Sequence, residues 1–503
     1  MVNENELSSI KDSFAEWIGI KTICGYKEFV SNTDEWKEHQ KLEKATSRFI
    51  QMRELLNKHP NIINELNTLF NELASIEPTL EKILEPTSEI EEETYSELLF
   101  TGQHTKPLNF VPFFLTFWSF FKIYLIPSMS FIIPLLLFIT PYIVAKYILK
   151  IPLNINRYFN ILVKILSRDI QSMQGVYFDT DKSILSSGFH IILTIMPIIQ
   201  AVILPYWSFK HLKSVDNIIN DHGHVISKLR NIYEQLETIL KAHGFNIHKN
   251  PMAFLDNRQS VANSLTNKFQ YLYSLKILGR IEVIYRLSSN KSICPVKWVN
   301  STTPICNIDS TFDHQIPEDK CIPFSIDLHK QGHSILTGPN MGGKSSILRA
   351  VANNVLIAHT YGCAIGKSCT MTPLKSMFLC LKPDDIPGKK SRFEREVDFT
   401  SNIIKNKKGF NIVLIDELFH STNPPDAFYS SQVFCNKLWK DNETLSIIST
   451  HLFDLLEHED AKNVKKLCCM AEECGNDIIF SYKLVPGVCK VSSVRKILKD
   501  YNL

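Results

Sequence analysis

The residue types and spacing that most clearly specify chemistry lie in one segment, Gly338-Pro339-Asn340-Met341-Gly342-Gly343-Lys344-Ser345. It fits the pattern G-x-x-x-x-G-K-[ST], which forms a loop around nucleotide phosphates. The glycines let backbone N–H groups face phosphate oxygens, Lys344 can reach the β- and γ-phosphates, and the Ser345 hydroxyl can bind Mg²⁺. Together with the next residue, Ser346, this segment predicts a binding site for ATP and Mg²⁺.

Two apolar runs further along the chain end in polar residues that suit the same chemistry. Asn411–Ile415 is followed by Asp416-Glu417, and residues 445–450 are followed by His451. Asp416 suits the Mg²⁺ shell, and Glu417 can orient and deprotonate an attacking water. A polar residue at the carboxyl end of a neighbouring strand, here His451, can contact the γ-phosphate or that water.

These residues need strands and a helix to bring them together. The apolar residues 334–337 predict a strand before the glycine-rich loop, and residues 346–358 predict a helix after it. The two β-branched runs before Asp416 and His451 read as buried parallel strands. The pattern therefore predicts an α/β domain in which the phosphates meet a helix N-terminus.

The rest of the 503-residue chain changes character from segment to segment, although its mean hydropathy of −0.05 is that of an ordinary soluble protein. Its composition excludes a wholly disordered or collagen-like chain. Residues 1–106 carry 11 Lys and Arg against 20 Asp and Glu. Apolar residues recur three and four positions apart in 62–73, so we expect 1–106 to form an acidic helical arm.

Two uncharged runs, near 123–145 and 183–209, are long enough to cross a bilayer. A third apolar stretch, 108–121, is too short to span alone but could begin a spanning pair. We therefore predict a membrane-spanning region over 107–209 with two or three helices, contacting lipid, and an ATP-using half that faces the cytosol. Basic residues in the intervening loop conflict with that orientation, and a buried helical hairpin of a soluble protein is the alternative.

Residues 210–300 form a basic helical region, with 13 Lys and Arg against 6 Asp and Glu. Three interpretations stay open for it. It could lie along the phosphates of double-stranded DNA, it could contact anionic lipid headgroups, or it could be an ordinary solvated helix face.

Several segments together resemble the MutS family, the ATPases of DNA mismatch repair. The resemblance covers about 314–490 and comprises, in order, Thr337 to Ser345, Asp384-Asp385, Ser391-Arg392-Phe393-Glu394-Arg395-Glu396, Asp416-Glu417-Leu418, Ser449-Thr450-His451 and Tyr482-Lys483-Leu484. It implies an ABC-type ATPase that works as a homo- or heterodimer. It also implies that Lys344 and Ser345 hold phosphate and Mg²⁺, Asp416 serves the metal, Glu417 is the catalytic base and His451 is a switch histidine.

The resemblance further implies that Ser391, at a helix N-terminus, completes the nucleotide site of the partner subunit. The chain departs from the family near that residue. Arg392 stands where the family usually has threonine, and Phe419-His420-Ser421 replaces a Gly-Arg-Gly segment. These departures concern the contact between subunits and leave the expected nucleotide binding unaffected.

Mismatch recognition in the family depends on a Phe-x-Glu wedge. Phe14-Ala15-Glu16 and Phe70-Asn71-Glu72 fit that tripeptide, but both lie in the acidic region, which would repel a phosphate backbone. We therefore do not expect mismatch-specific binding by this chain.

The sequence as a whole predicts an α/β P-loop NTPase domain of the ABC type at 301–503, preceded by an all-α region with two or three transmembrane helices. The leading functional hypothesis is a membrane-anchored MutS-like ATPase that binds DNA. A nucleotide-gated membrane scaffold without a nucleic-acid partner is the alternative, and a chain that binds ATP without hydrolysing it is a third possibility.

Overall fold

The structure is a computed structural model. It describes residues 4–34, 39–85, 94–102, 104–158, 160–161, 203–317, 319–329, 332–381, 391–474, 477–494 and 498. The chain forms two compact units. The first comprises Met1–Ser75, Ile232–Asn250 and Tyr273–Leu503, and the second comprises Ile76–Asn231 and Pro251–Leu272.

Helices dominate the chain before residue 290 and alternate with strands after it. The α-helices are α1 Glu4–Ile18, α2 Ile23–Asp34, α3 His39–Lys58, α4 Asn61–Leu84, α5 Pro112–Phe120, α6 Ile126–Ile143, α7 Leu204–Ala242, α8 Asn257–Thr266, α9 Lys268–Ser289, α10 Lys344–Tyr361, α11 Arg392–Asn406, α12 Pro424–Leu438 and α13 Asp454–Glu457. The strands are β1 Ile293–Trp298, β2 Cys306–Thr311, β3 Phe324–Leu328, β4 His333–Thr337, β5 Cys363–Ile365, β6 Ser368–Met371, β7 Ser376–Cys380, β8 Asn411–Ile415, β9 Thr444–Ser449, β10 Lys465–Cys474 and β11 Asp477–Pro486.

A six-stranded sheet of the order β11-β10-β4-β9-β8-β7 forms the centre of the first unit. The five strands from β10 to β7 are parallel, and β11 pairs antiparallel with β10. Every residue of β4, β8 and β9 is buried, as expected for strands covered on both faces. A second sheet, β3-β2-β6-β1-β5, has five strands and is mostly antiparallel. The predicted α/β domain and the helical region before it are therefore confirmed.

The acidic N-terminal helices pack against the nucleotide-binding part of the chain. Phe14, Phe29 and Phe49, one from each of α1 to α3, are almost fully buried in a cluster with Ile357 and Tyr361 of α10. The division of the structure thus differs from the sequence boundaries at 106, 209 and 300. The apolar spacing that predicted helices, in 62–73, lies in α4, and it gave no information about the packing of α1 to α3 on α10.

The two Phe-x-Glu tripeptides lie inside this packing. Phe14 stacks on Phe29 with ring centroids 5.7 Å apart, and Phe70 stacks on Tyr285 at 5.9 Å. Both phenylalanines are completely buried. Neither side chain can therefore stack on a DNA base without unfolding its helix packing.

A buried carboxylate from α9 secures the start of α2. Glu282 is completely buried, and its carboxylate oxygens accept hydrogen bonds from the backbone N–H groups of Lys21, at 2.9 Å, and Thr22, at 3.2 Å. The Thr22 hydroxyl also donates to Glu282, and Arg286 lies 3.4 Å away. Because these groups precede the first turn of α2, Glu282 satisfies donors that the helix itself leaves unpaired.

Glu282→Gln is expected to lower the free energy of unfolding by about 3 kcal/mol, because it leaves Arg286 without its buried counter-charge. Chemical denaturation of the full chain measures the change. Glu54→Gln is the matched control, since Glu54 forms an exposed pair with Lys58 at 4.0 Å, and such pairs contribute at most about 1 kcal/mol. A loss from Glu282→Gln no larger than that of the control would contradict a structural role for the buried pair.

The second unit contains the apolar helical run that begins at Pro112. Among the residues that the structure describes, one segment, Pro112–Ile133, is long and apolar enough to cross a membrane, and little of it is buried. This segment starts earlier than the predicted span near 123–145, because α5 joins the 108–121 stretch to α6 through a π-helical turn at Phe121–Leu125.

The predicted membrane-spanning region with two or three helices is not supported by the described residues, which hold this one candidate. This segment is a candidate by its length and composition alone, and core helices of soluble proteins meet the same criteria. Residues 183–202 of the second predicted span, 183–209, lie outside the described residues, and α7 begins at Leu204.

Candidate functional site

The carboxyl ends of β4, β8 and β9 lie side by side in the central sheet. β9 pairs with β4 on one side and with β8 on the other, so that Ser449 is opposite Leu336 and Ile448 is opposite Ile415. The loop after β4, the acidic pair after β8 and the histidine after β9 consequently meet at one edge. This is the arrangement that the sequence predicts for the nucleotide site.

The glycine-rich loop connects β4 to α10 by a tight path over β10. Gly338 has a φ of 145°, and a Cβ atom there would lie 3.0 Å from the Cβ of Cys469. Gly343, with a φ of 98°, is the N-cap of α10. A side chain at either position would be strained. The loop therefore ends with the N-terminus of α10 and its unpaired N–H groups, a favourable place for phosphate.

Lys344 lies beneath the loop with 5% of its surface exposed. Its Nζ donates hydrogen bonds to the carbonyl oxygens of Gly338, at 3.1 Å, and Pro339, at 3.2 Å, and lies 3.2 Å from His451 Nε2. Burial lowers the pKa of Lys344. None of these three direct partners is a carboxylate, so a phosphate that enters the loop would place a negative charge directly beside this ammonium.

Asp416 is held between two serine hydroxyls. Ser345 Oγ donates to Asp416 Oδ2, and Ser449 Oγ donates to Asp416 Oδ1 at 2.5 Å. No group of three His, Cys, Asp or Glu side chains that could hold a metal occurs in the described part of the chain. The residues present nevertheless fit Mg²⁺. It prefers oxygen ligands, binds few protein side chains and takes its other ligands from phosphate and water.

Glu417 and His451 lie next to each other beside Lys344, and both side chains are partly exposed. His451 Nε2 is 3.5 Å from Glu417 Oε1, and hydrogen bonding to His451, assisted by the charge of Lys344, lowers the pKa of Glu417. The same ring nitrogen faces Lys344 and Glu417, so it can accept from the first or donate to the second, one at a time. Glu417 also has a φ of 54°, a strained conformation typical of functional sites.

Ser391 is the N-cap of α11, as the sequence predicts for a residue at a helix N-terminus. Its Oγ accepts a hydrogen bond from the Glu394 N–H at 3.2 Å, and Glu394 Oε2 accepts from the Ser391 N–H at 3.0 Å. Ser391 is exposed. The hydroxyl thus stands at the surface on a capped helix. Asp384-Asp385, which also belong to the resemblance, lie outside the described residues.

Sequence reasoning missed a connection between α11 and the loop that follows Glu417. Ser421 Oγ donates to Glu396 Oε2 at 2.7 Å, and His420 Nδ1 lies 3.3 Å from Glu396 Oε1. Burial raises the pKa of Glu396, whose side chain is largely enclosed. Glu396 belongs to one of the segments that resemble the family, but nothing in the sequence indicates that it contacts residue 421.

Phe419 reinforces the same connection. It has a φ of 53°, it is almost completely buried, and its ring lies 6.0 Å from that of Phe393 in α11. The family resemblance places glycine here, and the positive φ explains that preference. The segment Phe419-His420-Ser421, which departs from the family, therefore ties the helix that begins after Ser391 to the chain after Glu417.

A cavity of about 590 Å³ adjoins the phosphate loop. Its lining is mainly apolar, and Asp313, Lys320 and Ser346 are polar residues among it. The residues include Asp313, Ile322, Phe324, Met341, Ser346, Ile347 and Tyr482. Its position next to Gly343 and its apolar walls suit a flat heterocyclic base.

A parallel sheet with a glycine-rich loop before a helix, and an acidic pair at the end of a neighbouring strand, defines a P-loop NTPase domain. Residues 334–499 match the family model of MutS domain V. MutS domain V is the ATPase domain of the MutS family, which acts in DNA mismatch repair. The match confirms the resemblance for this C-terminal part of the chain.

Proposed function

We propose that this chain binds ATP with Mg²⁺, hydrolyses it and uses the cycle to switch a dimeric assembly between two states. The phosphates lie in the loop 338–345 and the base lies in the adjoining cavity. Ser345 and Asp416 hold Mg²⁺, and Glu417 deprotonates the attacking water. His451 changes its contact with Glu417 when a γ-phosphate is bound.

One observation carries this proposal. A buried lysine, a Ser–Asp oxygen pair and a carboxylate with a lowered pKa converge on the same edge of the sheet. A site that only bound nucleotide would not need Glu417 at that position. Bound Mg²⁺ would neutralise phosphate charge, and the side chains would position the water and accept its proton.

Phosphate release from MgATP, measured over a range of protein concentrations, tests the proposal. We expect a Mg²⁺-dependent rate whose value per chain rises with concentration, because Ser391 completes the site of the partner subunit. A rate per chain that is independent of concentration would contradict the dimeric part of the proposal. No release at any concentration would leave a chain that binds ATP without hydrolysing it.

His451→Ala is expected to lower the turnover rate about tenfold and to move the acidic limb of the pH–rate profile to higher pH. Loss of the His451 hydrogen bond lets the pKa of Glu417 rise, so the base becomes protonated at a higher pH than in the native chain. Turnover measured from about pH 4.5 to 8 shows both effects.

His458→Ala is the matched control for this variant, since His458 lies 3.2 Å from Asp460 and outside the site. It should leave the profile unchanged. A lowered rate for His451→Ala with an unmoved acidic limb would show that His451 does not set the ionisation of Glu417.

DNA binding is part of the proposal, but the structure restricts which basic residues can provide it. In the second unit, Arg258 and Lys213 form ion pairs with Asp216 at 2.6 and 3.0 Å. We therefore assign DNA contact to exposed lysines such as Lys276 and Lys291. Salt-dependent retardation of a DNA duplex would support this contact, and none at low salt would favour the scaffold alternative.

Membrane attachment is proposed through the helical run from Pro112, with the ATPase domain facing the cytosol. The exposed apolar surface of this run favours attachment, since Phe113 and Phe117 are 70% and 55% exposed. Large apolar side chains in such numbers are rare on the surface of a soluble unit. The full chain should float with lipid vesicles in a density gradient. A monodisperse chain that stays in solution without detergent would contradict attachment.

A further inference from the structure

The first unit contains a second pocket, which is polar and lies at the other end of α10 from the phosphate loop. It has a volume of about 240 Å³ and lies among α2, α3, α9 and the C-terminal end of α10. Four of its lining residues are cations, and none of the described residues that line it is acidic. The charged and polar lining residues are Asn32, Lys41, Lys44, Arg48, Arg280 and Tyr361.

Three of the four cations share one face of α3. Lys41, Lys44 and Arg48 are spaced three and four residues apart, which places them in a row. Like charges at this spacing destabilise a helix. The described residues that line the pocket include no carboxylate, so an anion that enters it would relieve the repulsion within this row.

The opposite face of α3 is anchored, so the row cannot easily turn away. Thr46 Oγ1 donates to the Gly362 carbonyl oxygen at 3.1 Å, just after α10, and accepts from Trp298 Nε1 at 3.0 Å. Arg53 Nη2 donates to the Asn290 carbonyl oxygen at 2.6 Å. These bonds hold the cations against the pocket before any ligand arrives.

Arg280 supplies the fourth cation from α9 in a fixed orientation. Its Nε and Nη2 donate to Glu28 Oε1 at 2.9 and 2.7 Å, and Asn32 donates to the same oxygen at 2.6 Å. Glu28 is buried, and Arg280 is partly exposed. An arginine has five N–H groups, so this pairing orients Arg280 and leaves other N–H groups for an anion.

The helix C-terminus at Tyr361 does not account for this charge. A helix end carries about half a negative charge, and Glu28 pairs with Arg280, whereas Lys41, Lys44 and Arg48 add three further positive charges to the pocket. The volume is also informative, because 240 Å³ is about eight times the share of one water in the liquid. That space holds one or two phosphate groups and excludes a nucleic-acid duplex.

We propose that this pocket binds the phosphate or diphosphate group of a small molecule, held by Arg48 and Arg280 with Lys41 and Lys44 as additional charges. Arginine suits the planar, two-point recognition of phosphate oxygens, and lysine adds a point charge. The pocket meets the C-terminal end of α10, about 27 Å along the helix from Lys344. It is thus a separate site on the helix that begins at the phosphate loop, and it does not depend on ATP hydrolysis.

Calorimetric titration of the full chain with pyrophosphate tests this proposal. Lys344→Ala is included in every sample so that the phosphate loop does not bind the probe. We expect one binding event that weakens with added salt. Adding Lys44→Gln and Arg48→Gln should weaken it at least about tenfold, whereas Lys58→Gln, on the same helix outside the pocket, should leave it unchanged.

Two results would overturn the proposal. The first is the absence of pyrophosphate binding, or binding that Lys44→Gln and Arg48→Gln do not weaken. The second is binding of a 5′-phosphorylated single strand that depends on these two residues while pyrophosphate fails to bind, since the phosphate would then come from nucleic acid.

Discussion

Glu417→Gln abolishes ATP turnover and leaves ATP binding in place, if the site works as proposed. The amide keeps the size and hydrogen-bonding reach of the side chain but cannot take a proton from water. Removing a general base lowers rates by about 10²- to 10⁴-fold. The backbone N–H of Glu417 donates to Ser449 Oγ at 2.8 Å, which positions residue 417 independently of its side chain. The variant should therefore retain the native geometry and accumulate bound ATP.

Single-turnover hydrolysis and nucleotide binding, measured on the same preparation, separate the two effects. Glu457→Gln is the matched control, because Glu457 is exposed and pairs with Lys490 at 3.6 Å, away from the site. Turnover of Glu417→Gln at the native rate would mean that another group activates the water. Absence of turnover in the native chain as well would identify a protein that only binds ATP.

Lys344→Ala is expected to weaken ATP binding by about 100-fold, because the phosphates lose their closest buried cation. The same change should not unfold the protein. Burial disfavours the charged form of Lys344 in the folded state and lowers its pKa. Its removal therefore relieves a desolvation cost that partly offsets the lost hydrogen bonds to Gly338 and Pro339.

Equilibrium binding of a fluorescent ATP analogue and thermal unfolding without nucleotide measure the two parts of this prediction. Lys437→Ala, at an exposed position near the end of α12, controls for loss of one positive charge. Unchanged affinity in Lys344→Ala would place the phosphates elsewhere. Unfolding of this variant would instead assign Lys344 a structural role.

The sequence was sufficient to predict three strands of the central sheet, β4, β8 and β9, and the glycine-rich loop after β4, for physical reasons. Strands β4, β8 and β9 are short and completely buried, and β8 is an almost continuous apolar run, which is typical of strands covered on both faces. The loop is local, with its glycines, Lys344 and Ser345 in one continuous segment. Asp416, Glu417 and His451 could be placed because the carboxyl ends of parallel strands meet at one edge.

Features that depend on contacts between distant residues were not predicted. The five-stranded sheet has short strands, most of which pair with strands that are distant in the chain, and β5 contains three residues. The hydrogen bond between Glu396 and Ser421 joins α11 to the loop before α12, and no sequence periodicity relates these two segments. Likewise, the apolar spacing in 62–73 predicted helices that bury one face, but not that α10 covers α1 to α3. A helical period carries no information about which element packs against the buried face.

The packing of Phe14, Phe29 and Phe49 on α10 has a consequence for the order in which the molecule is made. About 300 residues separate Phe49 from α10. At 5 to 20 residues per second, the first helices leave the ribosome roughly 15 to 60 seconds before the helix that covers them. The apolar run from Pro112 emerges during that interval. Any insertion of this run into a bilayer would therefore precede assembly of the nucleotide site, so the nascent chain would be tethered before it could respond to ATP.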